Sequence, residues 1–449
     1  MTVTLTVPRE DAGAAPAETW RTKIRVALLD PSATSVLARE ARPGVPVLPV
    51  VEIAGRVWPG DALDLAAPFR EQLGAAGVVL WFREDVDDAE QRICRSDVLV
   101  QAIARDGADG TWMPLEVLAA AAEPEDATLL RTTRGDRPQP WMQPGWYDDA
   151  ARWISTSLAA AGHPTTGPVE QYQTWSLASV LRVPTVGGYA YFKTSAPSPL
   201  FCDEASVTVS LAELFPRSVP PVLAVDRDRR WVVTRDAGPA IGWEAPVEVG
   251  AAALRAHAAT QVAAIPHVSR LLAAGCVDRR LDTLAELARK VLAPAELRRW
   301  VPTDVVEAIP HGVEAALDCT AALRTGPVPE TLIHGDLNWS NVGRQGEQFV
   351  VFDWTDAAVS HPFLDPLGIF DETRPDVREL LLDAYLAPWL EFAPADELRA
   401  LFDLAEPVAA LFHTISYVSL CRSPDPAVAT DLAEGVTTWL AKLADVGRA

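Results

Sequence analysis

Leu332-Ile333-His334-Gly335-Asp336-Leu337-Asn338-Trp339-Ser340-Asn341-Val342, followed by Gln348-Phe349-Val350-Val351-Phe352-Asp353-Trp354, is the stretch on which the reading of this chain turns. Asp336 and Asn341 stand five residues apart on a polar loop between two apolar runs, and Asp353 comes twelve residues later, at the end of a strand-like run. An aspartate that can take the proton of an attacking hydroxyl, with an amide and a second carboxylate to hold a hard cation, is what direct phosphoryl transfer requires. The competing reading is a polar turn in which Asp, Asn and Ser serve turn chemistry alone. The rest of the chain decides between them.

Working outward, the apolar share is 49% and the charged share 22%, ordinary values for a folded protein. At 449 residues the chain exceeds one ordinary core, so two or three domains are expected. A net charge of −22 argues against nucleic acid as a partner and suits a cationic ligand or a plainly acidic surface. No apolar run has the length of a membrane span, and Met1 to Glu18 lacks the pattern of a secretory leader. Five scattered cysteines without a C-x-x-C pair argue against a disulfide framework or structural zinc, and for a reducing cytoplasm.

In order along the chain, residues 1–20 read as a loose tail. Residues 21–130 alternate strand-like runs (Ile24 to Asp30, Val45 to Val51, Val78 to Phe82, Val98 to Ala104) with a helix over Leu63 to Gly74, which predicts a small α+β accessory domain. Residues 131–146, with Pro138, Pro140 and Pro144, read as a linker. A helix from about Tyr147 to Ala161 opens a β-rich N-lobe over 147–240, and 241–449 reads as a helical C-lobe carrying the opening motif. Within that C-lobe, helices are expected over Ala395 to Ala405, Val408 to Leu420 and Ala427 to Asp445.

The N-lobe holds Lys193, one of four lysines against 35 arginines, on a strand flanked by aromatics. A compact ammonium there suits contact with nucleotide phosphates; the alternative is a snorkelling edge-strand lysine. Ser176-Leu177-Ala178-Ser179 stands between the first two N-lobe strands, where a glycine-rich phosphate loop is absent and the hydroxyls of Ser176 and Ser179 are candidates to cover phosphates. The next helix, Cys202 to Phe215, carries Glu204 in its first turn as the candidate partner of Lys193, ahead of Glu213. Ala237-Gly238-Pro239 reads as a hinge whose backbone groups face an adenine edge.

Tyr191-Phe192-Lys193, the helix with Glu204, His334-Gly335-Asp336 with Asn341, Phe352-Asp353-Trp354 and Asp365-Pro366 together resemble the aminoglycoside phosphotransferase and choline kinase group of small-molecule kinases, over about residues 147–445. The resemblance implies a protein-kinase-like bilobal α+β fold and transfer of the γ-phosphoryl group of ATP, with magnesium, to a hydroxyl of a small molecule. It implies Asp336 as catalytic base, Asn341 and Asp353 as metal ligands, and Lys193 on the phosphates, positioned by Glu204. It also implies Asp356 and Asp365 as residues shaping the site, and His334 as a scaffold of the loop and not a base. Aminoglycosides, amino sugars, other sugars and amino alcohols all remain open as acceptors.

Arg70-Glu71-Gln72-Leu73-Gly74-Ala75-Ala76-Gly77 and Trp112-Met113-Pro114-Leu115 resemble parts of a Nudix domain, with Gly74 and Ala75 where the paired metal-binding glutamates would stand. A plain α+β accessory domain is the other reading of this region. Two rival functions stand beside the kinase: a nucleotide hydrolase working through the N-terminal domain, and a non-catalytic nucleotide sensor that keeps the kinase fold.

Overall fold

A computed structural model of the chain describes residues 20–84, 88–133, 135, 137–422 and 426–448. Residues 1–19 of the segment read as a tail lie outside the described residues. The described chain divides into two compact units, with the boundary between Ala196 and Pro197.

In the first unit, apolar residues at alternate positions build strands around a long central one. β1 (Arg21–Leu29), β2 (Ser35–Arg42), β3 (Val45–Val47) and β4 (Val50–Ala54) precede helix α1 (Ala62–Leu73). β5 (Gly77–Glu84), β6 (Ile93–Ala102) and β7 (Thr111–Pro114) follow, then helices α2 (Leu115–Ala121) and α3 (Pro124–Thr132). The sheet runs β3-β2-β1-β6-β5, with β4 also on β1 and β7 on β2. β1 pairs in parallel with β6 over its whole length, from Arg21–Ile93 to Leu29–Gln101, while β5 and β6 are antiparallel. Ala27, Leu29, Val36, Leu80 and Leu99 from the sheet pack with Leu118, Leu129 and Leu130 of α2 and α3. Each such leucine contributes about 2 kcal/mol by leaving water.

Sequence periodicity missed β2, because Ser-Val-Leu-Ala-Arg-Glu-Ala-Arg offers its apolar face only at its first half. The run Val45 to Val51 is two strands, divided at Leu48-Pro49. α1 ends on Gly74 in the left-handed region, φ 68°. A Cβ at Gly74 would come within 2.0 Å of the Gly107 carbonyl oxygen. Glycine at this point serves the helix end, and the backbone leaves no room for the glutamate a Nudix box would carry. The segment expected as a linker is instead packed: Trp141 and Met142 are buried, and Arg137 donates to the carbonyls of Thr132 and Met142. Its prolines fix turns within a folded segment.

α4 (Trp146–Ala160) then leads into the antiparallel strands β8 (Glu170–Thr174), β9 (Ala178–Thr185) and β10 (Gly188–Ser195). Phe192 of β10 packs against Trp146 and Trp153 of α4 with ring centroids 6.0 Å apart in both pairs.

The second unit opens with α5 (Glu204–Leu214) and the hairpin β11 (Val222–Asp226) and β12 (Trp231–Arg235). α6 (Val247–Ala264), α7 (Val268–Ala274), β13 (Val277–Asp278), α8 (Leu281–Val291), α9 (Pro294–Leu297) and α10 (Thr303–Thr325) follow. The motif region holds β14 (Thr331–Ile333), β15 (Val342–Gln345), β16 (Gln348–Val351) and β17 (Ala358–Ser360). α11 (Leu367–Phe370), α12 (Pro375–Leu386), α13 (Ala395–Leu420), α14 (Pro426–Asp431) and α15 (Ala433–Val446) complete it. The class is α+β, with a predominantly helical second unit, as the sequence predicts.

Two expected helices are one. α13 runs through Pro407, whose missing N–H and ring cost a helix interior about 3 kcal/mol. Phe402, Ala405, Val408, Leu411 and Phe412 are all buried on that helix, and their burial outweighs the loss. Conversely, the helix expected over Ala427 to Asp445 is two, α14 and α15. No helix among the described residues is long and apolar enough to cross a membrane, and the five cysteines are free.

Candidate active site

The opening motif lies between a three-stranded sheet and a hairpin. β14 pairs antiparallel with β17, through Leu332–Val359 and Ile333–Ala358, and β15 pairs with β16. Both ends of the polar loop are therefore held by buried apolar strands, which leaves His334 to Asn341 to satisfy its backbone locally.

Asp365 is the anchor. Its buried carboxylate accepts from the backbone amides of His334 (2.9 Å) and Gly335 (2.8 Å), from Gln261 Nε2 (2.9 Å), and lies 2.8 Å from His257 Nε2. Burial by itself raises a carboxyl pKa, but the His257 hydrogen bond, the neighbouring imidazoles and the amides together hold Asp365 below the ordinary carboxylate value. His257 and Gln261 stand four residues apart on α6, so they project from one face. Tyr385 backs them, with its hydroxyl 2.7 Å from Gln261 Oε1.

His334 is fully committed to the loop. Its Nδ1 accepts from the Asp336 amide (3.3 Å), and its Nε2 lies 2.9 Å from the Phe352 carbonyl oxygen, a pairing that makes Nε2 the donor. The ring lies 4.8 Å from that of Trp354, and burial lowers its pKa, which keeps it neutral. Gly335 has φ 82°, and a Cβ there would meet the Asp356 carbonyl oxygen at 2.4 Å. Only glycine fits this close approach.

Asp336 and Asn341 form a pair. Asn341 Nδ2 donates to the Asp336 backbone oxygen (2.9 Å) and to its Oδ2 (3.1 Å), and Asn338 Nδ2 lies 3.3 Å from the same Oδ2. Asn338 also caps the short turn Trp339–Asn341 by accepting from the Ser340 amide. Burial, then the nearby charges of Asp356 and Asp353, raise the Asp336 carboxyl above its usual range, against the lowering bond from Asn341. Asn341 Oδ1 is buried and has no hydrogen-bond partner.

Asp353 follows β16 with φ 66°, a left-handed conformation that a non-glycine residue adopts only under constraint. The constraint is visible in the loop after it: Thr355 Oγ1 lies 2.9 Å from Asp353 Oδ1 and 2.9 Å from Glu204 Oε2, and Cys202 donates its amide to the Thr355 carbonyl at 2.9 Å. Asp203 caps α5 by accepting from Ser206, which sets Glu204 in the first turn. Asp356 is buried, and its charge acts on Arg279, a buried guanidinium that donates to Ser416 Oγ (2.7 Å) and the Phe412 carbonyl (2.9 Å). Tyr417 lies close enough to Asp336, Asp356 and Asp371 for their charges, after burial, to raise its hydroxyl pKa.

The second unit thus brings together Glu204, His334, Asp336, Asn341, Asp353, Asp356 and Asp365. Lys193, Ser176 and Ser179 belong to the first unit. Lys193 is half-buried on β10 opposite Val180. Ser176 lies in the loop between β8 and β9, but Ser179 is a buried residue of β9 itself, paired with Thr174 and Thr194 rather than in the turn. The expected hinge is also more engaged than the sequence implied: the Pro239 carbonyl and Ile241 amide bond β15 residues, and the Gly242 amide bonds Trp339. His361 and His413 are buried core residues, the latter stacked 4.5 Å from Trp439.

Sequence reading missed Thr355, Asn338, His257 and Gln261. The last two leave a faint signal, as polar residues in i,i+4 register on an alanine-rich helix; Thr355 leaves none beyond its place between two aspartates.

Among the described residues no group of three or more His, Cys, Asp or Glu has the geometry to hold a metal alone. Magnesium keeps waters and substrate phosphates in its shell and needs only one or two protein ligands. The buried, unpartnered Asn341 Oδ1 and the Asp353 carboxylate are the oxygen donors available for it.

Among solved structures, the chain is similar to macrolide 2'-phosphotransferase MphH from Brachybacterium faecium, with 18% identity and a TM-score of 0.44 over 66% of this chain and 98% of that one. It is also similar to a choline/ethanolamine kinase family protein from Mesorhizobium loti, with 18% identity and a TM-score of 0.45 over 67% and 99%. No curated protein matches it in sequence. Residues 203–401, which contain Glu204 and the loop from His334 to Asp353, match APH, the phosphotransferase enzyme family.

Proposed function

We propose that this protein transfers the γ-phosphoryl group of ATP to a hydroxyl group of a small molecule. Asp336 Oδ2 takes the hydroxyl proton, the acceptor oxygen bonds to the γ-phosphorus, and the bond to the β–γ bridging oxygen breaks to release ADP. Magnesium, when bound, neutralises phosphate charge, with Asn341 Oδ1 and Asp353 as its protein ligands. Lys193 is the candidate to contact the α- and β-phosphates, and the hydroxyl of Ser176 and backbone amides near it are the candidates to cover them. Catalysis rests on positioning and charge neutralisation, since no covalent enzyme intermediate is needed.

The observation that carries this reading is the orphaned, buried Asn341 Oδ1 beside an Asp336 whose other contacts all serve to orient it. A turn built for its own sake gains nothing from an unpaired buried carbonyl oxygen, which costs free energy.

An acceptor bearing an amino group, such as an aminoglycoside, amino sugar or amino alcohol, is favoured. The net charge of −22 suits a cationic group, and Asp336 and Asp356 both act on the ring-bearing Tyr417, while Asp371 is paired with Lys442. The test is an acceptor screen reading ADP release with ATP and magnesium. Turnover with neutral sugars but not with amino-bearing acceptors overturns the preference. Nucleotide binding without turnover on any class supports the sensor reading instead.

A further inference from the structure

The Asp353–Thr355–Glu204 chain has a function beyond holding a turn. A hydroxyl carries one hydrogen, yet Thr355 Oγ1 stands 2.9 Å from an oxygen of each of two buried carboxylates. It donates to one of them at a time. The segment is pinned independently to the start of α5: the Cys202 amide donates to the Thr355 carbonyl and the Cys202 thiol to the Trp354 carbonyl, both at 2.9 Å. The residues flanking Glu204 are therefore tied to those flanking Asp353. The hydroxyl joins the two carboxylates directly.

We infer that Thr355 is a positioning residue that couples divalent-cation binding at Asp353 to the orientation of Glu204. The inference rests on the reading of Asp353 as a metal ligand. With no cation, Asp353 competes for the hydroxyl hydrogen. With a cation drawing on its charge, the hydrogen is left to Glu204, which is then fixed in the first turn of α5. The effect is reciprocal, as any coupling between two sites must be. Without the hydroxyl, each carboxylate loses this orienting bond.

The experiment measures Mn2+ affinity by electron paramagnetic resonance in the full chain with a non-hydrolysable ATP analogue and no acceptor. Wild type, Thr355→Val, Thr355→Ala, Thr355→Ser and Asp353→Asn are compared, with melting temperature confirming that each is folded. The expected result is about tenfold weaker Mn2+ binding in Thr355→Val and Thr355→Ala, the usual scale for a residue behind a metal ligand. Thr355→Ser, which keeps the hydroxyl, binds within about twofold of wild type on the same scale. In turnover, the magnesium concentration for half-maximal rate rises in Thr355→Val. Wild-type Mn2+ affinity in Thr355→Val or Thr355→Ala, or equal weakening in Thr355→Ser, overturns the inference while Asp353→Asn still loses the ion. Undiminished binding in Asp353→Asn instead overturns the assignment of Asp353 itself.

Discussion

His257 Nε2 and the Asp365 carboxylate lie 2.8 Å apart, both buried, and the same carboxylate holds the backbone amides of His334 and Gly335. One side chain thus ties helix α6 to the loop that carries Asp336. Asp365→Ala leaves two backbone amides, an amide side chain and an imidazole without their acceptor. The expected cost is about 3–5 kcal/mol of stability, read by urea denaturation, and loss of turnover even where the variant folds. Asp365→Asn, which can accept only on one oxygen, is intermediate. An Asp365→Ala variant with wild-type turnover would show that the loop keeps its shape without the anchor.

Asp336→Asn retains the size of the side chain and removes the proposed proton acceptor. Turnover is expected to fall about 10²- to 10⁴-fold, the usual contribution of a general base. Nucleotide affinity, measured by calorimetry, stays within about threefold because nucleotide phosphates are bound elsewhere. A parallel loss of affinity would assign Asp336 to binding rather than to proton transfer.

Gly335→Ala tests the close approach of the loop to Asp356. At φ 82° an added Cβ is strained, and the Asp356 carbonyl oxygen stands 2.4 Å from where it would go. The expected penalty is at least about 2 kcal/mol, accompanied by loss of activity. Far-ultraviolet circular dichroism and denaturation together separate unfolding from local displacement of Asp336.

His361 and His413 set an acid limit. Burial lowers each imidazole from 6.5 to about 3. For a group whose folded pKa is depressed, stability is fully present above the unfolded pKa and is lost as pH falls toward the folded one. Between pH 6.5 and pH 3 the unfolded chain binds protons that the folded one refuses, at a cost near pH 5 of about 2 kcal/mol for each ring. Denaturant midpoints measured from pH 7 to pH 4 should fall accordingly, and His413→Phe should show a shallower fall than wild type.

Asp61 works with the opposite sign in the first unit. Burial, against a lowering hydrogen bond from Gln173 and with Asp64 adding to the rise, lifts its carboxyl from 3.8 to about 6. The stability tied to its protonated form is complete below pH 3.8 and is lost as pH rises through 6. Asp61→Asn should therefore stabilise the first unit at pH 7 by about 2 kcal/mol and have no such effect at pH 3.5. Equal stability of variant and wild type at pH 7 would show that water reaches the carboxylate.

The sequence by itself determined the chemistry-bearing loop. His334, Gly335, Asp336, Asn341 and Asp353 are close in the chain, and two β-strands with a polar loop between them are local structure that spacing specifies. The helix with Glu204 in its first turn and the helix ending on Gly74 were legible for the same reason, since caps and apolar periodicity are local signals. Longer range is where legibility ended. Pro407 read as a break because a proline's local cost is visible, whereas the burial that outweighs it is not. The packed segment around Trp141 read as a linker for the same reason. Only the tertiary structure decided that Asp365 anchors the loop through residues of α6, and that Thr355 stands between Glu204 and Asp353, 151 positions apart from the first and two from the second. Such contacts are set by how buried polar groups find partners once water is excluded, and that depends on the packing of elements whose separation in the chain carries no information about their meeting.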